Sequence, residues 1–312
     1  MKVDFHTHTI HSDGNDDTKE LVKAAKDLDA FSINDHNTIA ALPEAVELTN
    51  KTGQIFVPGL EISCHIRNPV TNNLITLHVL AHGINPYSEE ISAFMKDYNQ
   101  RREAYDRKII AIVNRNLARE GYPDIPLDAV EKLMLLKETQ KPPLIAKYLK
   151  DHFFVKSNEI HRLLKGTGIG RVELKLNDAI DLIHRNEGIA SIAHTAYGTY
   201  SLLSSLASVI QYPTKRPWNP KIPDEVVAEN LPGLLKPYLE MFDGVEVFYP
   251  HHGPLTTIAL ERLCLEEGII MTCGSDNHGL GRPKNVLGSI SMPDEYIREF
   301  LQAAENRYKI IH

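Results

Sequence analysis

The run Phe5-His6-Thr7-His8-Thr9-Ile10-His11-Ser12-Asp13-Gly14 follows a short apolar stretch near the start of the chain. On extended backbone every second side chain faces the same way, so His6 and His8 can grip one cation between them. Similar residue types recur along the chain, each at or near the end of an apolar run. They are Asp35-His36, Glu61 after Gly59-Leu60, His78, Ala193-His194 and Ser275-Asp276-Asn277-His278. A single histidine in such a place is most often hydrogen-bonded in a loop or packed in a core. The joint set of His6, His8, Asp13, His36, Glu61, His78, His194, Asp276 and His278 asks for another reading. Imidazole and carboxylate without thiolate suit Zn²⁺, Mn²⁺ or Fe²⁺ at centres with open positions, which serve catalysis. The set is too large for one ion and sufficient for two or three if a carboxylate is shared. Clustered divalent ions meet the needs of phosphoester hydrolysis: they lower the pKa of a water, orient it in line, and neutralise charge on the phosphoryl and leaving oxygens.

Several elements must bring these groups together. Residues 2–5 read as a strand, and Asp17-Thr18-Lys19-Glu20 as a capping box before Leu21, Val22, Ala24, Ala25 and Leu28 at helical spacing. A strand over 30–34 runs into Asp35-His36, and a helix from about Ala40 stops near Gly53. A strand over 55–58 leads to Glu61. In the strand predicted over 75–82, Thr76, His78, Leu80 and His82 share one face and Ile75, Leu77, Val79 and Ala81 the other. Further strands are predicted over 188–194, 244–248 and 269–273, with helices over 177–186 and 255–267 and a C-terminal helix opened by Pro293. Residues 199–240, with Pro213, Pro217, Pro220, Pro223 and the sole Trp218, read as long and irregular.

Seven strands mostly separated by helices predict an α/β fold of parallel strands with right-handed crossovers. Most candidate ligands then lie just past strand C-termini, the active face of such barrels. Strand signals vanish from about 88 to 170. Charged helical stretches take over, and Arg101, Arg102, Arg107, Lys108, Arg115 and Arg119 are interleaved with acids as on a solvated face. Gly166-Thr167-Gly168-Ile169-Gly170 reads as a hinge. The expected layout is a barrel from 1–87 and 171–312, with an inserted helical subdomain over 88–170 lying over the active face.

The 312 residues are 42% hydrophobic and 24% charged, enough for a sizeable core. The formal charge of −7 argues against a duplex nucleic-acid surface but leaves room for one nucleotide or a short strand. Cys64, Cys264 and Cys273 form no C-x-x-C pair and read as core thiols in a reducing compartment. There is no apolar run of about 18 residues and no apolar leader, so no membrane span is expected and a cytoplasmic location is.

The motifs His6-Thr-His8 with Ser12-Asp13-Gly14, Asp35-His36-Asn37-Thr38, Gly59-Leu-Glu61-Ile-Ser63, Ala193-His194 and Gly274-Ser-Asp276-Asn-His278-Gly279 resemble those of the PHP (polymerase and histidinol phosphatase) phosphoesterase family. The resemblance covers about 1–86 and 171–290. It implies a distorted (β/α)7 TIM-like barrel holding up to three metals. One ion would take His6, His8, Glu61 and Asp276. A second would take bridging Glu61, His78 and His194, and a third Asp13, His36 and His278. Asp35 would orient a histidine. The Ser-Asp-Gly form of the first motif, the helical insertion and Gly-Val-Glu-Val-Phe-Tyr-Pro resemble the stand-alone branch, which includes nucleoside 3′,5′-bisphosphate phosphatases and 5′→3′ exonucleases on short RNA.

These features predict a metal-dependent phosphoesterase that uses two or three divalent ions (Mn, Zn or Fe). Its substrate would be a small phosphorylated nucleotide or the 5′ end of a short oligonucleotide. Asp276 and His252 are the candidate catalytic residues. Arg171, His252 and Arg282 are candidates for binding substrate phosphate, against the plainer reading of loop charges and a loop histidine. The rivals are a histidinol-phosphate phosphatase, which the Asp13 form disfavours, and a non-catalytic metal-stabilised module, which the complete ligand set disfavours. Sequence alone leaves the oligomeric state open.

Overall fold

A computed structural model describes residues 1–67, 74–130, 141–166, 172, 174–196, 222–279 and 284–307. The seven expected strands form one sheet in chain order: β1 (Val3–Asp4), β2 (Ala30–Ile33), β3 (Ile55–Arg67), β4 (Leu74–His82), β5 (Ile189–Ile192), β6 (Gly244–Phe248) and β7 (Ile270–Cys273). Between β1 and β2 lies α1 (Thr18–Ala24). The capping box is formed there: the Glu20 N–H donates to Asp17 Oδ1 at 2.8 Å and the Asp17 N–H to Glu20 Oε2 at 3.0 Å. Next, α2 (Leu42–Thr52) buries Leu42, Ala45, Val46 and Thr49, and ends on Gly53 at φ 73°, a conformation that suits glycine.

The prediction of parallel strands throughout is corrected. β1, β2 and β3 are mutually parallel, as are β5, β6 and β7, but β4 is antiparallel to both of its neighbours. The physical reason lies in the connection. Only residues 68–73 separate β3 from β4, whereas a parallel crossover needs about a dozen residues or more. β3 is also far longer than expected, 13 residues, and pairs with β4 from Gly59 opposite His82 to Arg67 opposite Leu74. The two edge strands are linked just beyond their ends. The Phe5 N–H donates to Cys273 O at 3.1 Å and the His8 N–H to Asn277 O at 2.8 Å, with a parallel bridge between Thr7 and Asn277.

Chain contacts divide the protein into two compact units, Met1–Ser92 with Leu174–His312, and Ala93–Glu173. In the first, α6 (Leu176–Arg185) precedes β5. The next described helix, α7 (Asp224–Leu239), corrects the reading of 199–240 as irregular for its own span; the part from 197 to 221 lies outside the described residues. α7 forms despite Pro232 and Pro237, each of which removes a helix hydrogen bond. Its buried stripe, Val227, Leu231, Leu235 and Leu239, recurs at every fourth residue and packs on α8 (Pro254–Glu267). Burying each of these side chains is worth roughly 1.5–3 kcal/mol, enough to offset the proline defects.

The C-terminal helix α9 (Asp294–Arg307) contacts β5 and β7 and seats Ile297, Phe300 and Ala304 among Val3, Phe5, Val57, Ile189 and Cys273. Phe300 lies against Phe5, ring centroids 4.5 Å apart. In the second unit, Ile109, Val113 and Leu117 of α3 (Glu89–Arg119) form a core with Ile145 and Leu149 of α4 (Lys141–Phe153) and Ile160 and Leu163 of α5 (Ser157–Leu163). Among the described residues no helix is long and apolar enough to cross a membrane.

Candidate metal centre

The predicted ligands converge from six of the seven strands. His6 and His8 follow β1, His36 follows β2, Glu61 lies within β3, His194 follows β5, and Asp276 and His278 follow β7. These are the later parts of the parallel strands. β4 runs the other way and contributes from its first half, with His78 opposite Ser63 and Leu80 opposite Glu61.

At the middle sits Glu61, 1% exposed, with its two oxygens turned to different partners. Oε2 lies 3.3 Å from His6 Nε2 and 3.2 Å from His8 Nε2. Those two nitrogens are 3.1 Å apart, and Asp276 Oδ1 stands 3.6 and 3.3 Å from them. Oε1 lies 2.8 Å from His78 Nδ1 and 3.1 Å from His194 Nε2, which are themselves 3.2 Å apart. A third group gathers around Asp13 Oδ1, with His278 Nε2 at 3.0 Å, His36 Nε2 at 3.8 Å and His8 Nδ1 at 3.9 Å. His36 also presents Nδ1 to Glu61 Oε2 at 3.1 Å.

These separations suit divalent ions. Donors placed tetrahedrally about an ion at about 2.1 Å stand about 3.4 Å apart. Glu61 Oε2 accepts a hydrogen bond from none of the three imidazole nitrogens beside it, so the contacts have the spacing of shared coordination and not the angles of hydrogen bonds. Buried ionisable groups this dense are otherwise costly.

The electrostatics agree. Burial pushes the His8 imidazole down, but the carboxylates of Asp276, Glu61 and Asp13 close around it raise it to about 10. His6 likewise rises well above its ordinary value, because Glu246 and Glu61 outweigh burial. Burial would raise Glu61, yet the charges of His36, His78 and His6 hold it far below the usual carboxylate range. Asp276 and Asp13 are depressed in the same way against burial, Asp276 by His8, His6 and His278 and Asp13 by His278, His8 and His36. Without a metal, protons on the imidazoles balance the carboxylates. A bound cation takes over that charge.

Several ligands are aimed by a further partner. His278 donates from Nδ1 to Asp276 O at 2.8 Å and so keeps Nε2 for Asp13. His8 Nδ1 lies 3.4 Å from Ser12 Oγ, which donates to Asp35 Oδ1 at 2.6 Å. Asp35 accepts from the Thr9 N–H and O–H and from Ser12, so it holds the first ligand loop and reaches His8 only through Ser12. Asp4 does the same for the last loop, accepting from the Ser275 N–H at 2.9 Å, the Ser275 O–H at 2.6 Å and the Gly288 N–H at 2.8 Å. Tyr249 donates to Asp276 Oδ2 at 3.0 Å, leaving Oδ1 to face His6 and His8. His194 and Asp276 adopt positive φ, 28° and 54°, a strain of order 1–3 kcal/mol that clusters at functional sites.

Sequence reasoning missed Glu246. It is fully buried in β6, and its oxygens meet the His6 Nδ1–H at 2.9 Å and the His194 N–H at 2.6 Å. The available signal was an acid between Val245 and Val247 in a strand, since a buried carboxylate requires partners.

His252 is placed differently from its expected role. Its Nδ1 donates to Val247 O at 2.9 Å and its Nε2 accepts from the Ala196 N–H at 3.2 Å. Burial pushes its pKa down to about 4. With both nitrogens bound to backbone groups, the ring holds the turn after His194. Arg171 and Arg282 lie outside the described residues.

No family model matches the chain. Among curated proteins it is 24% identical, over 92% of its length and 98% of the relative's, to a phosphoribosyl 1,2-cyclic phosphate 1,2-diphosphodiesterase from Eggerthella lenta. It is 31% identical over 34% of its length, and 36% of the relative's, to the 5′-3′ exoribonuclease Rnm of Salmonella typhimurium. Two solved structures share its fold. One is a Chromobacterium violaceum amidohydrolase with bound sulfate and no metal, with TM-score 0.61, 20% identity and 97% of each chain covered. The other is a Bifidobacterium adolescentis protein assigned by name as a metal-dependent phosphoesterase, with TM-score 0.60, 23% identity and 96% of each chain covered. With its motif residues gathered around one glutamate in this shared fold, the chain resembles the PHP-type metal-dependent phosphoesterases.

Proposed function

We propose that the chain hydrolyses phosphate esters of small phosphorylated substrates, foremost a nucleoside 3′,5′-bisphosphate or the 5′ end of a short oligonucleotide. The observation that carries this reading is the divided carboxylate of Glu61, with Oε2 beside His6 and His8 and Oε1 beside His78 and His194. One ion would be held by His6, His8, Glu61 and Asp276, a second by Glu61, His78 and His194, and a third by Asp13, His36 and His278. The links between the ends of β1 and β7 support closure of the sheet into a distorted seven-stranded barrel around them. Divalent Mn, Zn or Fe bound there would supply Lewis acidity for activating a water and neutralising phosphoryl charge.

The chain's own residues do the rest. Asp276 presents Oδ1 beside His6 and His8 while Tyr249 fixes Oδ2. Burial and the charges of Asp276 and Glu246 raise the Tyr249 phenol well above its ordinary value, so it stays a donor. Asp13 is the ligand most open to solvent, its side chain 30% exposed, and so marks the side from which substrate enters.

The test is release of inorganic phosphate from adenosine 3′,5′-bisphosphate by manganese-loaded protein, with a chelator control. Inertness of a verified metal-loaded sample on that substrate and on a broad phosphoester panel sinks the proposal. The full-length alignment with the Eggerthella lenta protein favours a second reading, a cyclic phosphodiester of a phosphorylated sugar. The two separate cleanly, because opening a cyclic diester releases no inorganic phosphate in its first cleavage.

A further inference from the structure

Glu246 belongs to none of the ligand groups, yet it is bonded to two of them. We infer that Glu246 is a positioning residue that couples the loading of two ion positions, an inference that rests on the metal centre proposed above. Its Oε1 accepts from His6 Nδ1 at 2.9 Å, which fixes the Nδ1–H tautomer and leaves the Nε2 lone pair facing Glu61 Oε2 and Asp276 Oδ1. Its Oε2 accepts from the His194 N–H at 2.6 Å, which holds the φ 28° backbone that aims His194 Nε2 at Glu61 Oε1 and His78 Nδ1. His6 and His194 therefore serve opposite oxygens of Glu61 and share one second partner behind them.

The surroundings are shaped for this contact. Glu246 is completely buried, and the β6–β7 register shifts just after it, a local irregularity of the kind that re-aims side chains. Gly274, just past the end of β7, has no room for a side chain: a Cβ there would stand 2.1 Å from His6 Cβ and 2.9 Å from Glu246 Oε1. Loading the first position locks His6 and strengthens its bond to Glu246. That fixes the carboxylate and, through Oε2, the His194 turn required by the second position. The two ions should load cooperatively.

The experiment is a zinc titration of metal-free protein against a competing chelator, on wild type, Glu246→Gln and Glu246→Ala. It is paired with ¹⁵N NMR of the His6 imidazole in the zinc-loaded state. Wild type should take up zinc in a transition steeper than independent sites give, with His6 as a single Nδ1–H tautomer. Glu246→Ala should weaken both positions by about 10- to 100-fold, abolish the steepness and mix the tautomers. Glu246→Gln keeps the shape of the side chain and decides the matter if the alanine variant does not fold. Its one amide oxygen can accept from only one of the two N–H donors, so one position should weaken and the other should not. Wild-type affinity, steepness and tautomer in Glu246→Gln would overturn the inference while leaving the metal centre standing. A wild type that takes up no zinc would overturn the metal centre itself.

Discussion

His8 and His82 are the same residue type in the same unit, both completely buried, and their environments drive them in opposite directions. At the ligand end, Asp276 and Glu61 overcome burial and raise His8 to about 10. At the other end of β4, His82 pairs with Gly59 and sits edge-on to Phe300, ring centroids 5.2 Å apart. There burial, helped by the charge of His6, lowers it to about 3. Burial alone makes a histidine neutral; burial beside carboxylates makes it a cation or a place for one. His78 and His82 share a face of β4 with Leu80 between them, so the boundary between the two regimes falls within one strand.

The largest break in this contrast comes from Glu61→Ala. It removes the carboxylate that both ion groups share, and kcat/KM should fall by at least about a thousandfold. Metal analysis of the purified variant should show both positions depleted; full metal content would contradict the shared role. Asp35→Ala leaves every ligand in place but frees the Thr9–Ser12 loop, and should cost about 10- to 100-fold in metal affinity or activity. An unchanged manganese titration would show that the loop holds itself.

The raised His8 value predicts the sign of a pH dependence. Below about 10 the metal-free imidazole carries a proton that an ion must displace. Apparent zinc affinity should therefore rise by about tenfold per pH unit for each proton released, and proton release on binding can be counted calorimetrically. No proton release near neutral pH would remove His8 from the cationic side of the comparison.

The smallest effect on activity is expected at His82. Its folded value lies below the unfolded 6.5, so its neutral form is favoured by folding. That contribution is intact above 6.5 and is lost as pH falls from 6.5 toward 3. Between pH 7 and 4 wild type should lose up to about 3 kcal/mol of stability that His82→Leu retains. Phosphoesterase activity at neutral pH should stay within about twofold. Equal acid sensitivity of both proteins in denaturant titrations would show that His82 finds a polar partner.

Much of the centre was legible because metal chemistry restricts residue types. His6-Thr7-His8 declares itself by alternation, and Asp276-Asn277-His278 by the same spacing. Glu61, His78 and His194 could be named because each stands among mostly apolar neighbours at a strand, and His36 because it follows Asp35 just past one. Glu246 stood in an equally apolar strand and was passed over, since a partner to two ligands carries no spacing signature of its own. His252 shows the complementary limit: its place after a strand was legible, and its partners, Val247 O and the Ala196 N–H, were not.

The sequence by itself determined the residue types of the centre, the order of the seven strands and the caps that start and stop α1 and α2, because these follow from local periodicity and from the donor set that divalent metals accept. Only the tertiary structure decided that β4 runs against its neighbours, that Pro232 and Pro237 are held inside a helix, that the two oxygens of Glu61 face different histidines and that Glu246 stands behind two of them. Those outcomes depend on which strands and helices meet, and contacts between residues distant in sequence leave no mark on either stretch read alone.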